Sequence, residues 1–139
     1  MSEYVNDNSM AIVSEDTPLL VELSVIENIS LLLKYHNNIK VKLAEKSVSE
    51  LLLRCGYEYI GRKKPFDLNK KDKMIAQYLR AYISTFDTIA IIKPFSMLNR
   101  IEDINHIIEL SSILDDKKVE ILDTLQHDFY KDNQCLTIK

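Results

Sequence analysis

LNKKDKMIAQYLRAYISTFDTIAIIKPFSMLN, residues 68–99, contains the two periodicities that decide this chain's architecture. In its first half Met74, Ile75, Tyr78, Leu79 and Tyr82 recur at helical spacing, which predicts a helix with one buried face. Asn69 stands ahead of that stripe as an N-cap, with Asp72 three residues on. The second half, Thr88-Ile89-Ala90-Ile91-Ile92, is an unbroken apolar run rich in β-branched residues. Such a run predicts a strand buried on both faces of a parallel sheet.

Upstream, Met10-Ala11-Ile12-Val13 precedes a polar turn and then Leu19-Leu20-Val21-Glu22-Leu23. Ser24-Val25-Ile26-Glu27 has the form of a capping box and opens a helix carrying Ile29, Leu32 and Leu33. His36-Asn37-Asn38 breaks it. A second helix, about 43–55, carries Leu43, Val48, Leu51 and Leu52 and stops at Gly56. Pro65 lies in the linker to the third helix. Downstream, a helix starts at Asn99 with Glu102 as its capping partner, and Ile104, Ile107, Ile108 and Ile113 recur along it. Residues 119–122 and 135–138 are short strand candidates. The order strand, three helices, strand, helix, strand, strand predicts an α/β fold: about four short, mostly parallel strands with an inserted helical subdomain. We read 1–139 as one domain, with 10–23 and 86–139 as core and 24–85 as the helical insertion.

Composition excludes several classes. With 46% apolar and 28% charged residues, the 139 residues describe a globular domain with a real core. Eighteen basic against 21 acidic side chains predict no long-range field for nucleic acid or an anionic membrane. The polar start, MSEYVNDNSM, and the absence of a long apolar window predict a cytoplasmic protein that does not insert in a membrane. Cys55 and Cys135 match no metal or redox spacing and read as reduced core thiols. The only glycines, Gly56 and Gly61, form no phosphate-cradling loop.

The opening stretch resembles, without a gap, the part of ATP-binding-cassette (ABC) transporter ATPases that runs from the LSGGQ signature through the Walker B strand to the SxLD loop. Arg80-Ala81, Pro94, Ser96 and Leu98 fall on matching positions. Residues 11–16, Leu19-Leu20 and LSVIEN (23–28) are similar to the family's Q-loop region, and 125–128 (LQHD) to its switch-histidine motif. ENISLLLKYHNNI (27–39) is most similar to the helical subdomain of lipid-trafficking Mce and Mla-type members. The implied fold is a partial, P-loop NTPase-like cassette.

Departures from the family pattern imply a truncated and degenerate member. The chain begins where the Q-loop strand would begin, so the Walker A strand, its loop and its lysine are expected to be absent. Glu15 stands at the Q-loop glutamine. Ile92 replaces the Walker B carboxylate that organises Mg²⁺, and Lys93 replaces the catalytic glutamate. Asn69-Lys70-Lys71-Asp72 stand where SGGQ would, Asn99 falls in the D-loop, and His127 is retained at the switch position. The resemblance therefore implies no hydrolysis, no cofactor and no metal.

The remaining polar residues have simple readings beside functional ones. Lys70 and Lys71 point into solvent or attract a phosphate or an acidic partner; His127 caps a turn or senses a phosphate. His36 and His106 lack ligand partners, and Asp115-Asp116 and Glu102-Asp103 read as helix ends or caps. Ser96 lacks the glycine elbow of a nucleophile.

Three functions compete. The first is an accessory or regulatory binding subunit that docks a transporter's membrane subunit or its intact ATPase through Leu19, Leu20, Leu23, Val25 and Tyr35. The second is a self-associating structural domain, and the third is half of a split ATPase, which Ile92 and Lys93 oppose. The family's topology also implies an unpaired outer edge on the strand at 119–122. We expect residues 135–138 to cover it, or two chains to pair along it as a homodimer.

Overall fold

Ser24 and Glu27 form the expected capping box: the Glu27 amide donates to Ser24 Oγ at 3.1 Å and the Ser24 amide donates to Glu27 Oε1 at 2.9 Å. These bonds hold the Glu27 carboxyl below its usual value, because the ionised form is the better acceptor. A computed structural model of the chain describes residues 10–36, 38–98, 101–122 and 136–138. Its elements are β1 (Met10–Val13), α1 (Val25–His36), α2 (Val41–Cys55), α3 (Lys70–Ile83), β2 (Thr88–Ile92), the single turn α4 (Pro94–Met97), α5 (Ile101–Ile113), β3 (Lys118–Leu122) and β4 (Leu136–Ile138). Short 3₁₀ turns occupy Glu58–Ile60 and Pro65–Asp67.

The chain forms two compact units, one of residues 19–83 and one of residues 1–18 with 84–139. In the helical unit, α1 packs against α2 and α3. Asn38, at φ 53°, sits in the left-handed region just past α1, as the polar break predicts. A 3.6 Å ion pair, Lys34–Glu45, ties α1 to α2. Gly56 ends α2 at φ 82°, its amide donating to the Leu53 carbonyl. Ala44, Val48, Leu51, Leu52 and Cys55 are the buried stripe of α2. Leu43 is exposed instead, one residue off that stripe and so turned by about 100°.

The start of α1 is completed by tertiary contact. The Val25 amide donates to the Lys63 carbonyl at 2.9 Å and the Ile26 amide to the Gly61 carbonyl at 3.0 Å, satisfying amides that the helix itself leaves open. Glycine at 61 suits this close approach, since an added Cβ would lie 2.9 Å from Ile26 Cδ1 and 3.2 Å from Leu52 Cδ1 and those side chains would have to shift. Gly61→Ala is expected to cost about 1–2 kcal/mol through overpacking. Urea unfolding checks this: a lowered midpoint with unchanged slope is the expected result.

The second unit carries a four-stranded sheet in the order β1-β2-β3-β4, with every pairing parallel. Ile89, Ala90 and Ile91 of β2 are all buried, so both faces of the sheet are covered, as the apolar run predicts. The neighbours β2 and β3 are joined through α4 and α5, the crossover that parallel pairing needs. Along α5, Ile104, Ile107 and Leu110 are buried, as is Leu114 just past its end, and Ile113 is exposed. Ile113 lies nine residues from Ile104, half a turn round the helix, so it does not belong to the expected stripe.

β4 pairs with β3 through Val119–Leu136, Glu120–Thr137 and Ile121–Ile138. The C-terminal strand thus takes the edge expected to need a cover. A homodimer along that edge would have to displace β4, since β3 is already paired on both sides.

Candidate functional site

In a parallel sheet the strand ends that gather ligands are the carboxyl ends, which lie together on one edge. Here Val13 pairs with Ile91, and Ile92 with Leu122, so the carboxyl ends of β1, β2 and β3 lie together on that edge. Glu15 is exposed in the turn after β1. That turn is held by Ser14 and Thr17: Thr17 Oγ1 accepts the Ser14 amide at 3.0 Å, and Ser14 Oγ accepts the Asp16 amide at 3.1 Å. Ile92, half-buried, ends β2. Lys93 follows with an exposed side chain and a left-handed backbone, φ 50° and ψ 58°. This conformation is uncommon for a side-chain-bearing residue, and more so before a proline, which favours extended backbone at the preceding residue; the Lys93 amide is held by donating to the Leu122 carbonyl at 2.8 Å.

These residues do not fit a magnesium–nucleotide complex. Ile92 has no oxygen for a hard cation, and Lys93 brings a positive charge where a carboxylate would serve. Glu15 and Asp16 are the carboxylates that the described turn contributes, both exposed. Among the described residues no group of three or more His, Cys, Asp or Glu is placed to hold a metal ion. Asn99 and His127 lie outside the described residues, as does Cys135, and the side chains of His36 and Ser96 are likewise not described. Cys55 is buried, and burial raises its thiol above the usual value, disfavouring thiolate.

The signature-like residues belong to the helical unit. Asn69 caps α3, its Oδ1 accepting the Asp72 amide at 2.8 Å. Lys70 is exposed. Lys71 is bound to its own surroundings, 3.6 Å from Asp72 and with Nζ 5.8 Å from the centre of the Tyr57 ring. Asp72 is buried and accepts the Tyr59 hydroxyl at 3.0 Å. Burial, followed by that bond to Asp72, raises the Tyr59 phenol to about 12. A raised folded-state value stabilises the fold below pH 10, and the contribution is lost as pH rises through about 12. Alkaline unfolding should therefore show a decline between these values that is weaker in Tyr59→Phe, monitored by circular dichroism.

The expected partner groove is narrower than the sequence suggests. Leu19 and Val25 are buried and serve the chain's own core, and Leu23 is half-buried. Leu20 and Tyr35 remain outward, at 52% and 80% exposure. Also in the helical unit, Ile26, Leu52 and Leu53 floor a cleft of about 380 Å³ whose rim carries Lys46, Glu50, Glu58 and Arg62. Sequence reading missed two features. One is Glu120, a buried carboxylate on β3 with Lys118 at 3.8 Å. The other is RKKPFDLNKKDK, residues 62–73, whose local charge the balanced total conceals.

The chain matches no protein-family model and no curated protein. Its fold does match solved ATP-binding cassettes. It is similar to a dimeric structure of the ATP-binding cassette MJ0796 in a post-hydrolysis state bound to ADP and Pi, at TM-score 0.69 and 17% identity, covering 99% of this chain and 63% of that one. A second dimeric structure of MJ0796, a bacterial ABC transporter cassette, matches at TM-score 0.68 and 18% identity, covering 99% of this chain and 64% of that one. The chain shares the α/β fold of these cassettes and spans somewhat less than two thirds of their length.

Proposed function

We propose that this chain is a non-catalytic protein related to ABC-transporter ATPases, acting as an accessory or regulatory binding subunit of a transport system. The observation that carries this reading is the pair Ile92 and Lys93 at the carboxyl end of β2, on the edge where an open α/β sheet gathers its ligands. A metal ligand and a general base are both missing from that position, and loss of a positioned base alone lowers a rate by about 10²–10⁴-fold. The signature-like segment supports the same reading, because Lys71 and Asp72 are engaged with Tyr57, Tyr59 and each other. The MJ0796 structures are of dimeric transporter cassettes, which supports a place beside such a system. On this reading the chain works in the cytoplasm, peripheral to a membrane. Among the described residues no helix is long and apolar enough to cross one.

The test combines calorimetry of the full chain with ATP, with and without Mg²⁺, and co-expression with the membrane subunit and intact ATPase of an ABC transporter. We expect no Mg²⁺-dependent binding, no phosphate release, and retention of the chain on the transporter components through Leu20 and Tyr35. Turnover would overturn the non-catalytic reading. A stable assembly of the chain alone that ignores both transporter components would favour the self-associating domain instead.

A further inference from the structure

The chain's charge is balanced only in total. The unit of residues 19–83 carries twelve Lys and Arg against seven Asp and Glu, while the rest of the chain carries six against fourteen. Six of those twelve cations fall within residues 62–73, in company with two acids. One of the two, Asp72, is buried and already engaged by Lys71 and Tyr59. Arg62, Lys63, Lys64, Lys70 and Lys73 are all exposed. The expectation of no long-range field was drawn from the whole-chain sum, which does not report this local concentration of cations.

An aromatic ring stands in the middle of this charge. Phe66 is 93% exposed, the most exposed of the large apolar side chains described. It is presented by a fixed turn: Pro65 and Leu68 on either side are buried, the Asp67 amide donates to the Lys64 carbonyl at 2.9 Å, and the Leu68 amide donates to Pro65 at 3.1 Å. Neither the ring nor the exposed lysines of the segment are explained by the fold, whereas Lys71 is engaged with Asp72 and Tyr57. The ring buries almost nothing, and lysines in the first turn of α3 oppose the helix dipole.

We infer that residues 62–73 are a docking surface for an anionic phospholipid bilayer, with Phe66 entering the headgroup–acyl boundary and the surrounding cations meeting lipid phosphates. An aromatic side chain amid Lys and Arg is the combination that suits the membrane interface. Five of the six cations are lysines, hydrated point charges on flexible stems. These suit a fluid field of phosphates, whereas fixed bidentate recognition by a protein or nucleic acid favours arginine. The surface is independent of the transport reading and stands or falls separately from it.

Vesicle flotation of the full chain tests it, comparing phosphatidylcholine alone with phosphatidylcholine containing about a third phosphatidylserine at low salt. We expect flotation with the anionic vesicles only, reversed by about 0.5 M salt as screening shortens the field. Phe66→Ser should weaken binding about tenfold. Replacement of Lys63, Lys64 and Lys70 by Gln should weaken it about fivefold per lysine. Unchanged thermal unfolding midpoints would show that these exposed changes leave the fold intact. Absence of flotation with anionic vesicles, or flotation that ignores both variants, would overturn the inference. Binding to polyglutamate or single-stranded DNA without vesicle binding would equally overturn it, assigning the surface to a different polyanion.

Discussion

Asn28→Ala is expected to destabilise the helical unit by about 3 kcal/mol and lower its thermal midpoint by about 10 °C. Asn28 is 1% exposed and is the point at which the segment 20–24 is fastened to α1. Its Oδ1 accepts the Leu20 amide at 2.7 Å. Its Nδ2 lies within donating distance of three carbonyls, Leu20 at 3.1 Å, Leu23 at 3.2 Å and Ser24 at 3.0 Å. Alanine leaves these part-buried backbone groups without the amide, and each lost bond costs about 1 kcal/mol or the desolvation of its orphaned partner. Asn28→Asp should be at least as damaging, because a second oxygen would face three carbonyl oxygens where a donor is required. Chemical denaturation of both variants checks this. A loss under 1 kcal/mol in each would mean that the 20–24 segment is held by packing rather than by Asn28.

Lys117→Met is expected to cost about 2 kcal/mol in the sheet unit. Lys117 Nζ donates to the Ser84 carbonyl at 2.6 Å and also to the Phe86 carbonyl, and next to it the Lys118 amide donates to the Asp87 carbonyl at 3.0 Å. Together these bonds fasten the lead-in of β2 to that of β3, so that Thr88 and Lys118 start their parallel register together. Methionine keeps the apolar stem and removes the donor. Burial holds the Lys117 ammonium below its usual 10.5, against the opposing pull of Asp116 and Asp87. Since the unfolded chain then keeps that proton to higher pH, the stability contribution of this group rises from the lowered value up to 10.5. The wild-type protein should show this rise and the Met variant should lack it, measured by urea unfolding across the alkaline range. An identical pH profile would mean that Lys117 titrates as it does in water.

Local signals account for much of the fold. The Ser24–Glu27 box, the Asn69 cap, the Gly56 stop and the β2 run are short-range codes, set by backbone geometry and side chains within a few residues, and all four hold. Residues 43 and 113 failed because a stripe is fixed by phase. An apolar residue one step off the buried line faces solvent, and apolarity alone does not report phase.

The candidate site divides in the same way. Ile92 and Lys93 were legible in the sequence as the absence of a carboxylate at the end of β2, because residue type alone reports that. Leu19 and Val25 could not be told from Leu20 and Tyr35, since all are apolar or aromatic and only burial separates them. The basic segment 62–73 was readable as letters but hidden by a whole-chain sum. The exposure of Phe66 became evident only once Pro65 and Leu68 were seen to anchor the turn.

By itself, then, the sequence determined the order of helices and strands, their caps and stops, and the absence of a carboxylate at the end of β2. Tertiary structure alone decided that Lys63 and Gly61 would complete the start of α1, that β4 rather than a second chain would pair with β3, and which apolar side chains would remain in water. The reason is physical: periodicity and capping act over a few residues, whereas pairing partners and burial depend on groups distant in the chain, whose separation no local pattern encodes.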